Sequence, residues 1–120
     1  MSTPSDLKLV GIAVPVTQQH VIAGNRVFVT SVEFWTTFTG IRMMWPVRPS
    51  FGLEGYWPFA IKTSAGITTC SRWSVGAIRS HSDMYVTTDA PLPLHSRQFT
   101  MLLSFGALVV DLPTHAPTGT

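Results

Sequence analysis

The stretch from Arg26 to Val47, RVFVTSVEFWTTFTGIRMMWPV, constrains the fold more than any other part of the chain. It holds the densest run of β-branched and aromatic residues, which favour strands. Over residues 27–35 the apolar residues occupy both odd and even positions, a pattern typical of a central strand covered on both faces. Over residues 41–45 the apolar residues alternate with other residues, which predicts a second strand with one solvent-exposed face. We therefore expect two adjacent strands at the middle of a sheet, with Arg42 pointing to solvent or to a rim.

The rest of the chain continues this pattern. Short apolar runs with Gly, Pro and Asn between them recur about every ten residues, and no segment has a helical period. The sequence predicts an all-β fold, an antiparallel β-sandwich of about eight short strands, with a small closed barrel as the alternative. A single domain is expected over residues 7–113, with flexible tails at 1–6 and 114–120. Residues 67–73 are expected to form one strand, and residues 74–82 a loop or an irregular edge strand. Pro91-Leu92-Pro93 is expected to cross between sheets or over an end of the fold.

Few residues carry a charge. Charged residues make up 12% of the chain, against about 25% in a typical domain, and the mean hydropathy is +0.26. Such a neutral surface keeps a monomer poorly soluble, which favours a protein partner: a homo-oligomer or a larger assembly. The net charge is +2, but the basic residues are scattered singly. The sequence therefore predicts no nucleic-acid partner.

The start of the chain lacks the basic and apolar regions of a secretory signal. Its longest apolar region, residues 100–112, is interrupted by polar residues and is too short to cross a bilayer. We expect no membrane partner and a cytoplasmic location, with a place in a virion as the alternative. The single cysteine, Cys70, rules out an internal disulfide and a cysteine-based zinc site.

Candidate chemistry is sparse. His81 and Asp83 would share a strand face and could form a metal or acid–base site, although such residues more often bond to the backbone. Cys70 would be a nucleophile if Arg72 lowered its pKa, but a lone strand cysteine is more often a small buried apolar residue. No nucleophile elbow, carboxylate pair or glycine-rich phosphate loop is present. We expect no catalytic residue, no metal and no cofactor.

Aromatic residues offer a binding alternative. Phe51, Tyr56 and Trp57 are the candidate ligand-binding residues, as an exposed patch for sugar or peptide. They could equally plug one end of the sandwich. Trp35 and Trp45 have the same two interpretations, a binding platform or anchors of the core and rim.

Several short patterns occur in a suggestive order. They are Val-x-Val-x-Ser-Val-Glu-x-Trp over residues 27–35, Trp45-Pro46, a Trp-containing hairpin, and Pro-Leu-Pro before Phe-Thr-Met-Leu-Leu at residues 99–103. Over residues 21–113 this order resembles small immunoglobulin-like β-sandwich domains of unknown function in bacterial proteins. The resemblance implies a fold and no activity. The Cys, Trp, Cys framework of antibody-type domains is missing, because Cys70 is alone.

The sequence thus favours a non-catalytic structural or protein-interaction module that self-associates or joins a larger assembly, such as a phage particle or a bacterial complex. A carbohydrate- or peptide-binding module is the first alternative. A small metal-dependent enzyme is the second.

Overall fold

A computed structural model of the protein describes residues 7–22, 24–45, 58–70, 72–78, 81–93, 97–103 and 106–113. The strands in these ranges are β1 (Leu9–Ala13), β2 (Gln19–Ile22), β3 (Asn25–Trp35), β4 (Thr39–Trp45), β5 (Pro58–Thr63), β6 (Gly66–Thr69), β7 (Arg72–Ile78), β8 (His81–Thr87), β9 (Gln98–Leu103) and β10 (Gly106–Asp111). They are more numerous than the eight or so expected from the sequence.

The strands form two open antiparallel sheets. The larger sheet has the order β1-β3-β4-β8-β7, with β2 also paired to β3, and the smaller has the order β10-β9-β5-β6. Since neither sheet closes on itself, the predicted sandwich architecture is confirmed and the closed barrel is wrong. The resemblance to immunoglobulin-like domains remains a prediction.

Strand β3 occupies the middle of the larger sheet, as predicted. It pairs with β4 along one edge and with β1 and β2 along the other. Its register with β4 shifts around Thr30, a β-bulge that changes the parity of the strand. Val27 and Val29 before the bulge, and Val32 and Phe34 after it, are therefore all buried. The two apolar parities come from this bulge, so the expectation of a strand fully covered on both faces is wrong.

Both sheets contribute to one apolar core. The larger sheet supplies Val27, Val29, Val32, Phe34, Ile41, Met43, Met84 and Val86, and the smaller supplies Ile61, Phe99, Met101, Leu103, Leu108 and Val110. Burying one such side chain contributes about 1.5–3 kcal/mol. The two-residue period of β4, β8, β9 and β10 places these residues on the inner face of their sheets.

A buried threonine pair fixes the start of the crossing between the sheets. The Thr39 N–H donates to Thr88 Oγ1 at 2.9 Å, and the Thr39 carbonyl accepts from Thr88 N at 3.0 Å. The Thr39 hydroxyl accepts from Leu92 N at 2.9 Å. These bonds satisfy buried polar groups and hold residues 88–92 as the chain leaves β8 for β9. The predicted crossing at residues 91–93 is confirmed.

The chain also changes sheets around Cys70. The strand expected over residues 67–73 is wrong, because β6 ends at Thr69 in the smaller sheet and β7 begins at Arg72 in the larger one. The Thr69 carbonyl accepts from Asp89 N at 2.8 Å, a bond outside the β6 ladder. Of the two structures expected for residues 74–82, the edge strand is confirmed over residues 74–78, since β7 pairs only with β8 among the described strands.

Candidate functional site

The outer face of the larger sheet carries a carboxylate that accepts hydrogen bonds from three side chains. Glu33 Oε1 accepts from Trp35 Nε1 at 3.1 Å and from Tyr85 Oη at 2.8 Å. Glu33 Oε2 accepts from Arg42 Nε at 2.9 Å and forms an ion pair with it. The Glu33 side chain is 13% exposed and that of Arg42 is 55% exposed, which confirms that Arg42 faces solvent. We call these four residues the Glu33 cluster.

Sheet register brings the Glu33 cluster together. Glu33 lies opposite Gly40, and Arg42 lies opposite Tyr85. Tyr85 leans diagonally across β4 to reach Glu33, so a Cβ added to Gly40 would lie 2.0 Å from Tyr85 Oη. The Arg42 Cζ lies 4.5 Å from the centroid of the Tyr85 ring, a cation–π distance. Glycine is required at position 40 because the tyrosine side chain occupies the space of a Cβ.

The electrostatics of the cluster favour a fixed arrangement. Burial acts to raise the pKa of Glu33, but hydrogen bonds from Tyr85, Arg42 and Trp35 and the Arg42 charge lower that pKa below its ordinary value of 4.5. Burial, the hydrogen bond to Glu33 and its charge raise the pKa of Tyr85 to about 12. At neutral pH the carboxylate is therefore ionised and the phenol protonated. Both carboxylate oxygens accept from protein donors, an arrangement that holds Trp35 and Tyr85 in place.

A depression of about 630 Å³ opens beside the cluster, where β3 turns into β4 and where β8 ends. It is lined by Thr37, Phe38, Ser74, Tyr85, Thr87, Thr88 and Asp89. Phe38 is stacked on Trp35 with a centroid distance of 5.8 Å and an interplanar angle of 20°. We call this feature the threonine depression. Two of its walls are thus aromatic rings that the Glu33 cluster holds in position.

A second depression of about 300 Å³ adjoins the first and shares Ser74 and Tyr85 with it. Arg42, Asp83 and Gly76 also line it. A Cβ added to Gly76 would meet no atom within 4 Å. Ser74 and Gly76, two small residues of β7, therefore border the depressions.

A row of exposed apolar side chains follows the β1 edge of the same sheet. Leu7, Leu9, Ile12, Val14 and Val16 are 44%, 42%, 38%, 52% and 69% exposed. The register of β1 shifts after Leu9, so Leu9 and Ile12 lie on the same outer face of the sheet although their numbers differ by three. We call these five residues the apolar row.

The apolar row lies next to the Glu33 cluster. Leu9 pairs with Trp35 and Ile12 with Glu33, so these side chains share the outer face of the sheet. Beyond β1, Val16 N donates to Asp111 O at 2.8 Å, which ties the end of the row to β10 of the smaller sheet. The row therefore runs along the edge shared by the two sheets.

The residues predicted from sequence have different outcomes. Phe51, Tyr56 and Trp57 lie outside the described residues, so the predicted aromatic patch remains a prediction. The side chain of His81 also lies outside them, while Asp83 lines the smaller depression. Trp35 is partly buried at the rim of the larger sheet, in contact with Glu33 and Phe38.

Cys70 is not suited to act as a nucleophile. Its side chain is buried, and burial together with the nearby charge of Asp89 raises the pKa of the thiol to about 12. The reactive thiolate is therefore suppressed at neutral pH. The interpretation of Cys70 as a small buried apolar residue is confirmed.

Sequence reasoning missed the threonine depression and its aromatic walls. Glu33 and Arg42 lie nine residues apart on the two strands of the hairpin, and their pairing could have been found from opposite charges across a three-residue turn. Tyr85 lies 52 residues from Glu33. No local signal in the sequence indicates that β8 lies beside β4 in the sheet.

In the part of the chain that the structure describes, no group of three or more His, Cys, Asp or Glu side chains is placed to hold a metal ion. The same residues include no helix with the length and apolar character needed to cross a membrane.

Comparison with known proteins adds no identification. No protein-family model, curated protein or solved structure matches the chain.

Proposed function

We propose that the protein is a non-catalytic interaction module that self-associates through the apolar row. The observation that supports this most is the row itself, five apolar side chains that are each 38–69% exposed along one edge of the sandwich. Contiguous exposed apolar surface on a small domain commonly marks an interaction site. Residues 9–25 contain no Lys, Arg, Asp or Glu. Lys8 is the one charged residue between Leu7 and Val16, so a second copy of the same edge meets little like charge.

The edge itself favours contact between side chains over extension of the sheet. Natural edge strands resist pairing with another chain through bulges and prolines. Here the register shift after Leu9 distorts β1, and Pro15, which has no N–H to donate, follows the strand. The backbone is thus a poor template for a partner strand. The apolar row remains available to pack against the same row of a second copy around a twofold axis.

The energetics indicate a weak contact. Burying a Val, Leu or Ile side chain contributes about 1.5–3 kcal/mol, so five half-exposed residues contribute roughly 4–7 kcal/mol per copy. Two copies contribute about twice that, against an association cost of about 4–15 kcal/mol. The surplus is on the order of a few kcal/mol, and about 4.1 kcal/mol corresponds to a dissociation constant of about 1 mM. A twofold contact uses the single row of each copy, so an assembly larger than a dimer would need a second contact surface.

Analytical ultracentrifugation over a concentration series tests the proposal. The average mass should rise above 13.2 kDa as the concentration approaches the millimolar range. Val16→Lys should restore the monomer, because position 16 is 69% exposed and the change adds like charges at the twofold contact. Ile67→Lys is the matched control, since Ile67 is 63% exposed but lies on β6 of the smaller sheet.

A strictly monomeric protein at millimolar concentration would refute self-association. An Ile67→Lys variant as effective as Val16→Lys would show that general surface charge, and not the apolar row, controls the mass. A cytoplasmic location, a place in a virion and the resemblance to immunoglobulin-like domains remain predictions.

A further inference from the structure

The threonine depression has the size of a small-molecule site. Its volume of about 630 Å³ falls within the range of about 300–1,000 Å³ in which ligand pockets occur. It lies on the outer face of the larger sheet, toward β8 and β7, whereas the apolar row follows β1 at the opposite edge of that sheet. The two surfaces can therefore be tested separately.

The aromatic walls of the depression are fixed before any ligand arrives. The Tyr85 hydroxyl is bonded to Glu33, and its ring lies over Gly40 with the Arg42 guanidinium 4.5 Å from its centroid. Phe38 is held by its stacking on Trp35. A ligand that packs on these rings does not have to order them, which lowers the entropic cost of binding.

The polar lining consists mainly of hydroxyl groups. Thr37, Ser74 and Thr87 bring side-chain hydroxyls that can both donate and accept. Asp89 brings a carboxylate, which also accepts from the Thr69 hydroxyl. Thr88 also lines the depression, but its hydroxyl is engaged with Thr39 N and Ala90 O.

The charge that the described side chains bring to the lining disfavours anionic ligands. It is the negative charge of the Asp89 carboxylate, which repels phosphates and other anions. A lipid tail offers no hydrogen bond to the hydroxyls of Thr37 and Ser74. A neutral ligand with many hydroxyl groups and an apolar ring face can pack on the aromatic walls and form hydrogen bonds with the hydroxyls and the carboxylate.

We propose that the threonine depression binds one or two sugar rings of a neutral glycan. The C–H face of a ring packs on Phe38, because Arg42 lies over the Tyr85 ring. The hydroxyls of that sugar ring exchange hydrogen bonds with Thr37, Ser74 and Asp89. This site is distinct from the patch of Phe51, Tyr56 and Trp57 predicted from the sequence, and it is independent of self-association.

NMR titration of the isotope-labelled full-length protein tests the site. The probes are cellotetraose, maltotetraose and chitotetraose as neutral glycans, with tetragalacturonate, in which every ring carries a carboxylate, and inorganic phosphate as charged comparisons. At least one neutral glycan should shift the backbone resonances of residues 37–38, 74 and 85–89 with a dissociation constant on the order of 1 mM or lower. The charged probes should leave these resonances in place.

A matched pair of variants locates the binding. Ser74→Trp fills the depression from β7 and should weaken the affinity for that glycan by at least about tenfold. Ser64→Trp makes the same change at an exposed position between β5 and β6 in the other sheet and should leave the affinity unchanged. Urea unfolding of both variants verifies that the fold persists.

Three results would overturn the proposal. These are no response to any neutral glycan, a response to the charged probes at the same resonances, and equal glycan affinity of Ser74→Trp and the unchanged protein. A Val16→Lys variant that is monomeric but binds glycan normally would support both proposals separately. If self-association fails while glycan still binds, only the proposed function is refuted.

Discussion

Gly40→Ala tests whether the Glu33 cluster depends on the missing side chain at position 40. The added Cβ would lie 2.0 Å from Tyr85 Oη, 2.5 Å from Cζ and 2.8 Å from Cε1. Strand β4 is paired on both edges, with β3 and β8, so its backbone has little room to move. Tyr85 must therefore rotate away from Glu33.

The magnitude follows from what Tyr85 loses. A hydrogen bond to a charged carboxylate contributes about 1.5–3 kcal/mol, and the exposed cation–π contact with Arg42 contributes about 0.5–1 kcal/mol. Replacing glycine by alanine in a strand returns about 0.5–1 kcal/mol of backbone entropy. The free energy of unfolding should therefore fall by about 2 kcal/mol, measured by urea denaturation with an unchanged slope.

Two further variants separate this cause from a general effect of alanine. Gly76→Ala should be neutral or slightly stabilising, because a Cβ at position 76 meets no atom within 4 Å. In a Tyr85→Ala background, Gly40→Ala should cost less than about 0.5 kcal/mol, since the clash is gone. Equal costs at positions 40 and 76, or no relief in the Tyr85→Ala background, would refute the reasoning.

Three other predictions follow from the buried polar groups. Thr39→Val leaves the Leu92 N–H without its acceptor and should cost about 1–3 kcal/mol in unfolding free energy, whereas Thr39→Ser should cost less, and equal losses would contradict a role for the hydroxyl. Cys70, with its pKa raised to about 12, should react with a thiol reagent at neutral pH only when urea unfolds the chain, and rapid reaction in the folded state would contradict its burial. Because the folded pKa of Glu33 lies below 4.5, its stabilising effect is present above that pH and is lost as the pH falls through the folded value. Glu33→Gln should therefore flatten the acid limb of a stability curve measured by urea unfolding, and an acid limb identical to that of the unchanged protein would contradict this.

Much of the fold could be predicted from the two-residue period of apolar residues. The β3–β4 hairpin, the edge position of β1, the turns at Gly24, Gly66 and Gly106, and the crossing at residues 91–93 all carry local signals. At these three glycines φ is 80°, 134° and 154°, values that L side chains rarely adopt. Local signals are sufficient there because each feature involves neighbouring residues.

The other features of the fold and of the site depend on contacts between residues that are far apart in the sequence. Residues 67–78 are divided between two sheets because β7 pairs with β8 in the larger sheet. The sequence from Ile67 to Trp73 has no pattern that distinguishes one sheet from the other. Likewise, the partners of Glu33 could not be assigned without knowing that β8 pairs with β4 in the sheet. The site therefore became visible only with the strand order.

The bulge at Thr30 makes the exact length of β3 part of the fold. A strand of the same length without the bulge would keep a regular two-residue period, and the segment after Thr30 would turn inside out relative to the segment before it. Val32 and Phe34 would then point to solvent, while Glu33 would enter the core as an unpaired charge. Deleting Thr30 itself would instead remove the bulge and keep Val27, Val29, Val32 and Phe34 on one face. The harm of a one-residue deletion in β3 should therefore be smallest at Thr30.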